Sequence, residues 1–322
     1  MNTEITKAQR WEARKWCVCI FTFGGDAVAL GQCVRALKRL RERCERVGGE
    51  LHIYVFDDGK HPLPYAPAGV MYEKTWFERG GNLNGVACVQ GELVCMLKAV
   101  KASGAKYVVK LDSDTVVQDL GWMMEAFEED EAYVEHVGVS LNKDMDWASG
   151  VCYGLRESSL EQILRQACSI KLRADVPEDV GVTQVVGSNL CMSTRLVDMD
   201  GYCEGYKDVL TGYDYQNVRG SWAQWQVYAM SAVVTFGNRN FIKDKARQRE
   251  IVGREMEKFN DVLEGGCGGL AAGEAPVDAL SIEEAEAAMG KAINRGKLED
   301  YKVNEELGMV SGFAKAAEKI DM

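Results

Sequence analysis

The sequence of 322 residues has no apolar run long enough to cross a membrane. Its first apolar run, at 16–23, is also too short for a signal peptide and follows a charged, polar segment. We therefore expect a cytoplasmic protein. Peripheral contact with a membrane surface is compatible with this expectation. The net charge of -11 argues against a nucleic-acid partner, because binding a phosphate backbone needs clustered Lys and Arg.

The 11 cysteines form no C-x-x-C pair and no Cys/His cluster with the spacing of a zinc site. Several fall where strand or helix cores are expected, and Cys17 and Cys19 lie on one face of a predicted strand. We interpret them as reduced, buried thiols rather than as a disulfide framework. The three histidines, His52, His61 and His136, are scattered along the chain.

What the sequence does contain is an alternation of strand and helix patterns. Strands are predicted at 16–23, 51–56 and 107–111, with a helix that ends at Gly48 after the first and a helix at 86–103 before the third. This order predicts an α/β domain with a mainly parallel central sheet flanked by helices. Ligands of such sheets bind beyond the carboxyl ends of the strands.

The rest of the chain is less regular. We predict strands at 137–141 and 185–192, a helix at 158–168 that a capping box from Ser158 to Glu161 begins, an aromatic stretch at 222–228 that leads into 232–236, and a charged helix at 242–263. A Gly-rich linker at 264–280 and an Ala/Glu-rich helical tail at 281–322 would follow one domain at 1–263. The tail suits packing on the domain, homo-oligomer formation or recruitment of a partner.

The first predicted helix is rich in basic residues. It carries Arg35, Lys38, Arg39, Arg41, Arg43 and Arg46 outside its apolar face. A solvated helix face and a patch for a membrane or a partner both explain this pattern.

Three D-x-D triplets occur, at 112–114, 144–146 and 198–200, and only the first directly follows a clear strand pattern. Crowded carboxylates at a strand end repel each other, so we expect a cation beside Asp112 and Asp114. Mg²⁺ and Mn²⁺ prefer such oxygen ligands and are often shared with substrate phosphates. A helix N-cap is the alternative use of these residues.

Four segments together carry a family resemblance: Phe23 to Asp26, Val55 to Gly59, Asn82 to Gly85, and Leu111 to Thr115. In order and spacing the chain resembles the GT-A glycosyltransferases, particularly the inverting family 2 type, over roughly 16–241. The resemblance implies a GT-A fold, a metal-dependent transfer of a sugar from a UDP-, GDP- or dTDP-sugar, and an acceptor hydroxyl on a carbohydrate, lipid or protein.

The resemblance also implies roles for residues. Asp57 or Asp58 would contact the base or ribose, although a simple turn also explains them. Asp112 would face the ribose or donor sugar and, with Asp114, hold Mn²⁺ or Mg²⁺. The further nucleotide-binding residues would be Phe23, Asp26, Asn84 and Ser113.

An inverting transfer needs a general base near the acceptor hydroxyl. By the resemblance, Asp214 is the first choice, and the pair Glu178 and Asp179, which a helix start also explains, is the runner-up. A retaining reaction would need neither of these bases.

Trp222, Trp225 and Tyr228 fit a buried helix face or a sugar-stacking surface. A sugar-phosphate nucleotidyltransferase, a non-catalytic nucleotide-sugar binding protein and a purely structural interaction protein remain as alternatives.

Overall fold

The computed structural model describes residues 10–77, 85–128, 134–140, 147–169, 176–188, 192, 194–198, 206–208, 232–236 and 245–265. Within them lie strands β1 (Lys15–Thr22), β2 (Glu50–Asp57), β3 (Met71–Lys74), β4 (Tyr107–Asp112), β5 (Thr115–Val117), β6 (His136–Ser140), β7 (Cys152–Arg156), β8 (Thr194–Asp198), β9 (Tyr206–Asp208) and β10 (Val233–Thr235). The α-helices there are α1 (Ala27–Arg46), α2 (Gly85–Ser103), α3 (Gly121–Glu128), α4 (Glu157–Ser169), α5 (Glu178–Gly187) and α6 (Lys245–Leu263). Several sequence predictions fall outside these residues, namely those for Asn84, 144–146, Asp214, Trp222, Trp225, Tyr228 and the tail.

The main sheet has seven strands in the order β3-β2-β1-β4-β7-β6-β8. β3, β2, β1 and β4 are parallel neighbours, β7 is antiparallel to both β4 and β6, and β6 is parallel to β8. A second sheet has the order β5-β10-β9. The predicted α/β class with a mainly parallel central sheet is therefore confirmed. The strand order reverses between β1 and β4, which makes their carboxyl ends the expected ligand-binding edge.

Each face of the main sheet packs on its own set of helices. Val18 and Ile20 of β1 pack with α1 and α6 on one face, and Cys17, Cys19 and Phe21 pack with α2, α4 and α5 on the other. Both faces are buried, as the continuous apolar run of a central parallel strand requires. The described cysteines are free thiols, and all of them except Cys168 are buried.

Two sequence predictions need correction. The strand predicted at 185–192 is wrong at its start, because Val185, Val186 and Gly187 belong to the helix α5, where Val185 and Val186 are buried. A short apolar run does not distinguish a buried strand from a buried helix turn. The helix predicted to begin at a Ser158 cap begins at Glu157 instead. The charged helix predicted at 242–263 is confirmed over the residues described there, as α6 (Lys245–Leu263).

The basic side of α1 is neither simply solvated nor a free patch. Arg35 and Arg39 both form ion pairs with Glu264 just after α6, and Asn260 of α6 donates a hydrogen bond of 3.0 Å to the Gln32 carbonyl oxygen. Arg43 pairs with Glu12. These contacts join α1 to α6 and to the segment before β1. No helix in the described part of the chain is long and apolar enough to cross a membrane.

Candidate functional site

Carboxylates gather at the carboxyl ends of β1, β2 and β4. In the ladder, Thr22 at the end of β1 pairs with Asp57, and Phe21 pairs with Asp112. We call the group of Asp26, Asp57, Asp58, Asp112 and Asp114 the acidic edge. Its members come from three neighbouring strand ends, which is where the sequence placed the two acidic turns.

The loop that follows β4 is tied down on several sides. The Asp112 amide donates to the Val151 carbonyl at 3.2 Å, and the Phe236 amide donates to the Asp114 carbonyl at 2.9 Å. The Ser113 hydroxyl donates to Oδ2 of Asp26 at 3.0 Å. The D-x-D segment therefore connects to the start of β7, the end of β10 and the loop after β1. The strand β5 follows it directly at Thr115, and the next helix, α3, begins only at Gly121. The helix N-cap explanation for these residues is therefore wrong.

Asp112 has a buried basic partner that the sequence analysis did not single out. Lys110, 1% exposed, places Nζ 2.7 Å from Oδ1 of Asp112 and 3.4 Å from Oε2 of Glu178. The same ammonium donates to the carbonyl of Gly150. The Asp112 side chain keeps 16% of its surface exposed. Asp112 is thus partly neutralised by a lysine, yet its carboxylate still reaches the surface.

Asp57 and Asp58 are buried, and their hydrogen bonds shape the turn after β2. Oδ2 of Asp57 accepts hydrogen bonds from the Leu63 amide at 2.7 Å and the Tyr72 hydroxyl at 2.5 Å. Oδ1 of Asp58 accepts from the Lys60 and His61 amides at 2.7 and 2.8 Å. These bonds favour the turn explanation for the pair. Burial first, and then Asp57, raise the pKa of Tyr72 to about 12.

The loop after β1 meets α6. The Arg249 guanidinium carbon lies 4.6 Å from the centre of the Phe23 ring, and its Nε lies 3.6 Å from Oδ1 of Asp26. Because Asp26 also accepts the Ser113 hydroxyl bond, one carboxylate links α6 to the D-x-D segment. Phe23 therefore lies beside the acidic edge, with the Arg249 guanidinium over its ring.

The runner-up base pair lies at the start of α5. Asp179 accepts hydrogen bonds of 2.9 Å from the Gly150 amide at Oδ2 and from the Val180 amide at Oδ1. Burial first, and then the charge of Glu178, raise the pKa of Asp179. Gly150 connects the two groups, since its carbonyl accepts from Lys110, which contacts Asp112. The structure thus places Asp179 beside the acidic edge.

Behind Lys110 lies a buried polar chain. Glu178 accepts a hydrogen bond from the Tyr153 hydroxyl, and the Tyr153 ring lies edge-on to His136 with centroids 5.2 Å apart. Nδ1 of His136 lies 3.1 Å from Oγ1 of Thr194. Burial lowers the pKa of His136 to about 4, while Glu178 opposes the shift. His136 is therefore neutral at pH 7.

Both D-x-D carboxylates act on the same buried thiol. Burial raises the pKa of Cys33 well above its ordinary value, and the charges of Asp114 and Asp112 add to that increase. Cys33 belongs to α1, so both carboxylates lie close to a buried residue of that helix.

The donor set suits a metal that is shared with a substrate. In the described ranges, no group of three or more His, Cys, Asp or Glu is arranged to hold a metal ion. Asp112 and Asp114 offer two hard carboxylates, and Mg²⁺ is commonly held by one or two carboxylates together with phosphates and water. The residues fit a metal–diphosphate complex better than a metal bound by protein alone.

A shallow cleft of about 460 Å³ lies elsewhere, against the amino-terminal part of β2. Arg41, Glu50, His52 and Met71 are among the residues that line it. It adjoins the opposite ends of the strands from the acidic edge, so it does not contribute to the site.

Comparisons with known proteins return similar folds. Neither the family models nor the curated proteins give a match. Among solved structures, the chain is similar to a glycosyltransferase involved in the glycosylation of the major capsid of PBCV-1, with 12% identity, a TM-score of 0.44, and coverage of 75% of this chain and 99% of that one. It is also similar to the glycosyltransferase GlyE of Streptococcus pneumoniae TIGR4, with 10% identity, a TM-score of 0.41, and coverage of 78% and 63%.

Two residues of the site were missed from the sequence. Lys110 stood inside a strand pattern, and a lysine in an otherwise apolar buried strand was the signal that could have marked it. Arg249 is one of several cations in the charged helix α6. Only the packing of α6 against the loop after β1 distinguishes it.

Proposed function

We propose that the protein is a glycosyltransferase that moves a sugar from a nucleotide diphosphate sugar to an acceptor hydroxyl. The observation that carries this proposal is the acidic edge itself, in which Asp112, Asp114 and Asp26 meet at the topological switch between β1 and β4. A binding site for an anionic nucleotide needs a cation there, because three carboxylates alone would repel it.

In this proposal Asp112 and Asp114 hold Mn²⁺ or Mg²⁺ together with the donor diphosphate. The metal, when bound, stabilises the negative charge that develops on the departing diphosphate. Phe23 and Asp26 contact the nucleotide from the loop after β1, and Ser113 fixes Asp26 through its hydroxyl. Lys110 holds Asp112 in place by its ion pair.

We assign the general base to Asp179 among the described candidates, for an inverting transfer. Its raised pKa brings a carboxylate nearer to the range in which a base works at neutral pH. Gly150 and Lys110 connect it to Asp112, so base and metal ligand adjoin one reaction site. Asp214 lies outside the described residues and stays a prediction.

A donor screen tests the proposal. Thermal unfolding is measured with UDP-, GDP- and dTDP-sugars, each with Mn²⁺, with Mg²⁺ and with EDTA. We expect one donor to raise the unfolding temperature only with metal, and then to lose its sugar to an acceptor or slowly to water. If no donor stabilises the protein with either metal, the proposal is wrong. Binding without any sugar release would favour the non-catalytic nucleotide-sugar binding protein.

A further inference from the structure

The second cation of the site, Arg249, has surroundings unlike those of Lys110. Lys110 is 1% exposed and is engaged by Asp112, Glu178 and the Gly150 carbonyl. The Arg249 side chain is 40% exposed and approaches Asp26 at 3.6 Å. That separation is longer than a charge-assisted hydrogen bond. Arg249 therefore retains donors for a further anion, which Lys110 does not.

The packing of α6 fixes where this guanidinium lies. Gly253, one turn after Arg249, packs so closely on α1 that an added Cβ would overlap Val28. Residues four apart share a helix face, so Arg249 lies on the side of α6 that faces the loop before α1. An added Cβ on Gly25 of that loop would overlap the Arg249 guanidinium. The absence of a side chain at Gly25 thus leaves room for the guanidinium.

The far end of α6 holds the helix in register. Asn260 donates to Gln32 of α1, and Arg35 and Arg39 pair with Glu264. Phe259 is buried in the core against Phe236, with ring centres 5.7 Å apart. Arg249 is therefore presented by a helix that is fixed along its length. A donor group on a rigid element loses little entropy when it binds a ligand.

The negative charge of the acidic edge is a reason for a cationic side chain at the donor site. Asp26, Asp112 and Asp114 are negative, and a nucleotide diphosphate adds further negative charge. Lys110 beside Asp112 and a divalent ion at Asp112 and Asp114 offset only part of the total. A guanidinium offers paired N–H donors that match phosphate oxygens, and it can stay stacked on an aromatic ring such as Phe23 while it does so.

We propose that Arg249 binds the diphosphate of the donor, with Asp26 and Phe23 holding the guanidinium in place. This inference rests on the proposed function, because it assigns to Arg249 a role in binding the same donor. It adds α6, a helix late in the chain, to a site otherwise built from the ends of β1 and β4.

Calorimetric titration of the full chain with saturating Mn²⁺ tests the assignment. UDP, GDP and dTDP are titrated first, and the one that binds best is compared with its own monophosphate. The variants are Arg249→Ala, Arg249→Lys and the control Arg254→Ala, which removes an exposed arginine of the same helix that pairs with Glu255. Urea unfolding of each variant shows whether the fold is retained.

We expect Arg249→Ala to weaken the diphosphate about 10-fold to 100-fold, as for the loss of hydrogen bonds to a charged group. The monophosphate should weaken less, Arg249→Lys should recover part of the loss, and Arg254→Ala should bind as the unmodified protein. Equal binding by Arg249→Ala and the unmodified protein would overturn this inference alone. So would an equal loss of diphosphate and monophosphate. If the unmodified protein binds none of the three diphosphates, the proposed function fails and this inference with it.

Discussion

Nζ of Lys110 lies 2.7 Å from Oδ1 of Asp112, two positions later on the same face of β4. The same ammonium lies 3.4 Å from Oε2 of Glu178 in the first turn of α5. A buried lysine in a central strand is costly unless its charge is paired. Here the pairing joins the end of β4, which bears the proposed metal ligands, to the helix start that bears the proposed base.

Replacement of Lys110 should destabilise the fold. Lys110→Met leaves Asp112 and Glu178 without their shared cation, and breaking a buried ion pair costs about 3–5 kcal/mol. Urea unfolding at pH 7.5 measures the change. The control Lys101→Met removes an exposed pair with Glu161 and should change the free energy of unfolding by less than about 1 kcal/mol. Equal changes in the free energy of unfolding for the two substitutions would show that the buried pair stabilises the fold no more than the exposed pair does.

Stability should decline in mild acid because of His136. Its folded pKa is about 4, below the ordinary value of about 6.5. Between these values the unfolded chain binds a proton that the folded chain does not, so the free energy of unfolding falls as the pH falls from about 6.5 to about 4. The full loss is about 3 kcal/mol, from about 1.4 kcal/mol for each unit of pKa shift. Thr194, Tyr153 and Glu178 are the polar groups described near the ring.

Urea unfolding from pH 7.5 to pH 4.5 measures this loss. His136→Gln should reduce the pH dependence across that range, whereas His52→Gln, which changes a partly exposed histidine beside Glu50, should leave it as it is. A slope unchanged by His136→Gln would rule out His136 as its source.

The turn after β2 should tolerate no side chain at Gly59. An added Cβ there would overlap the Thr75 carbonyl oxygen, so Gly59→Ala has to move the backbone that carries Asp57 and Asp58. We expect a destabilisation of about 1–3 kcal/mol, typical of overpacking. The matched change Gly31→Ala meets no atom within 4 Å in α1 and should stabilise by about 0.5–1 kcal/mol. Thermal unfolding of the two variants shows whether Gly59→Ala lowers the stability while Gly31→Ala raises it.

Loss of the proposed base should affect turnover more than donor binding. Asp179→Asn should lower kcat by about 10²-fold to 10⁴-fold, with the donor Kd nearly unchanged. Because burial and Glu178 raise the pKa of Asp179, kcat/KM should fall with decreasing pH at a higher pH than for an ordinary aspartate. Asp214→Asn is the rival substitution. Full activity of Asp179→Asn beside an inactive Asp214→Asn would assign the base to Asp214.

The parts of the fold that were predictable from sequence are those with strong local patterns. β1, β2 and β4 are apolar strands that end in polar turns, and α1 shows a regular apolar face. α5 was mistaken for a strand because its valines have no period that separates a buried helix turn from a buried strand. β3, β5, β7, β8 and β9 were missed, since strands of three to five residues depend on their partners for stability.

The site residues also divide into those that a local sequence pattern predicts and those that it does not. The D-x-D segment and the Asp57–Asp58 turn are local in sequence, so a motif could locate them. Lys110 is local as well, since it lies two positions before Asp112 on the same face of β4. Asp179 and Arg249 reach the site only through the packing of α5 and α6, which no spacing in the sequence encodes.

The central claim is that Asp112 and Asp114 bind a divalent ion together with the phosphates of a nucleotide donor. Calorimetric titration of UDP, GDP and dTDP into the unmodified protein, Asp114→Asn and the control Asp261→Asn, each with Mn²⁺ and with EDTA, tests it directly. We predict binding of one nucleotide that requires Mn²⁺, is retained by Asp261→Asn and is weakened at least about 100-fold by Asp114→Asn, as for loss of a metal ligand. Nucleotide binding that is equally tight in EDTA, or that survives in Asp114→Asn, would contradict the claim.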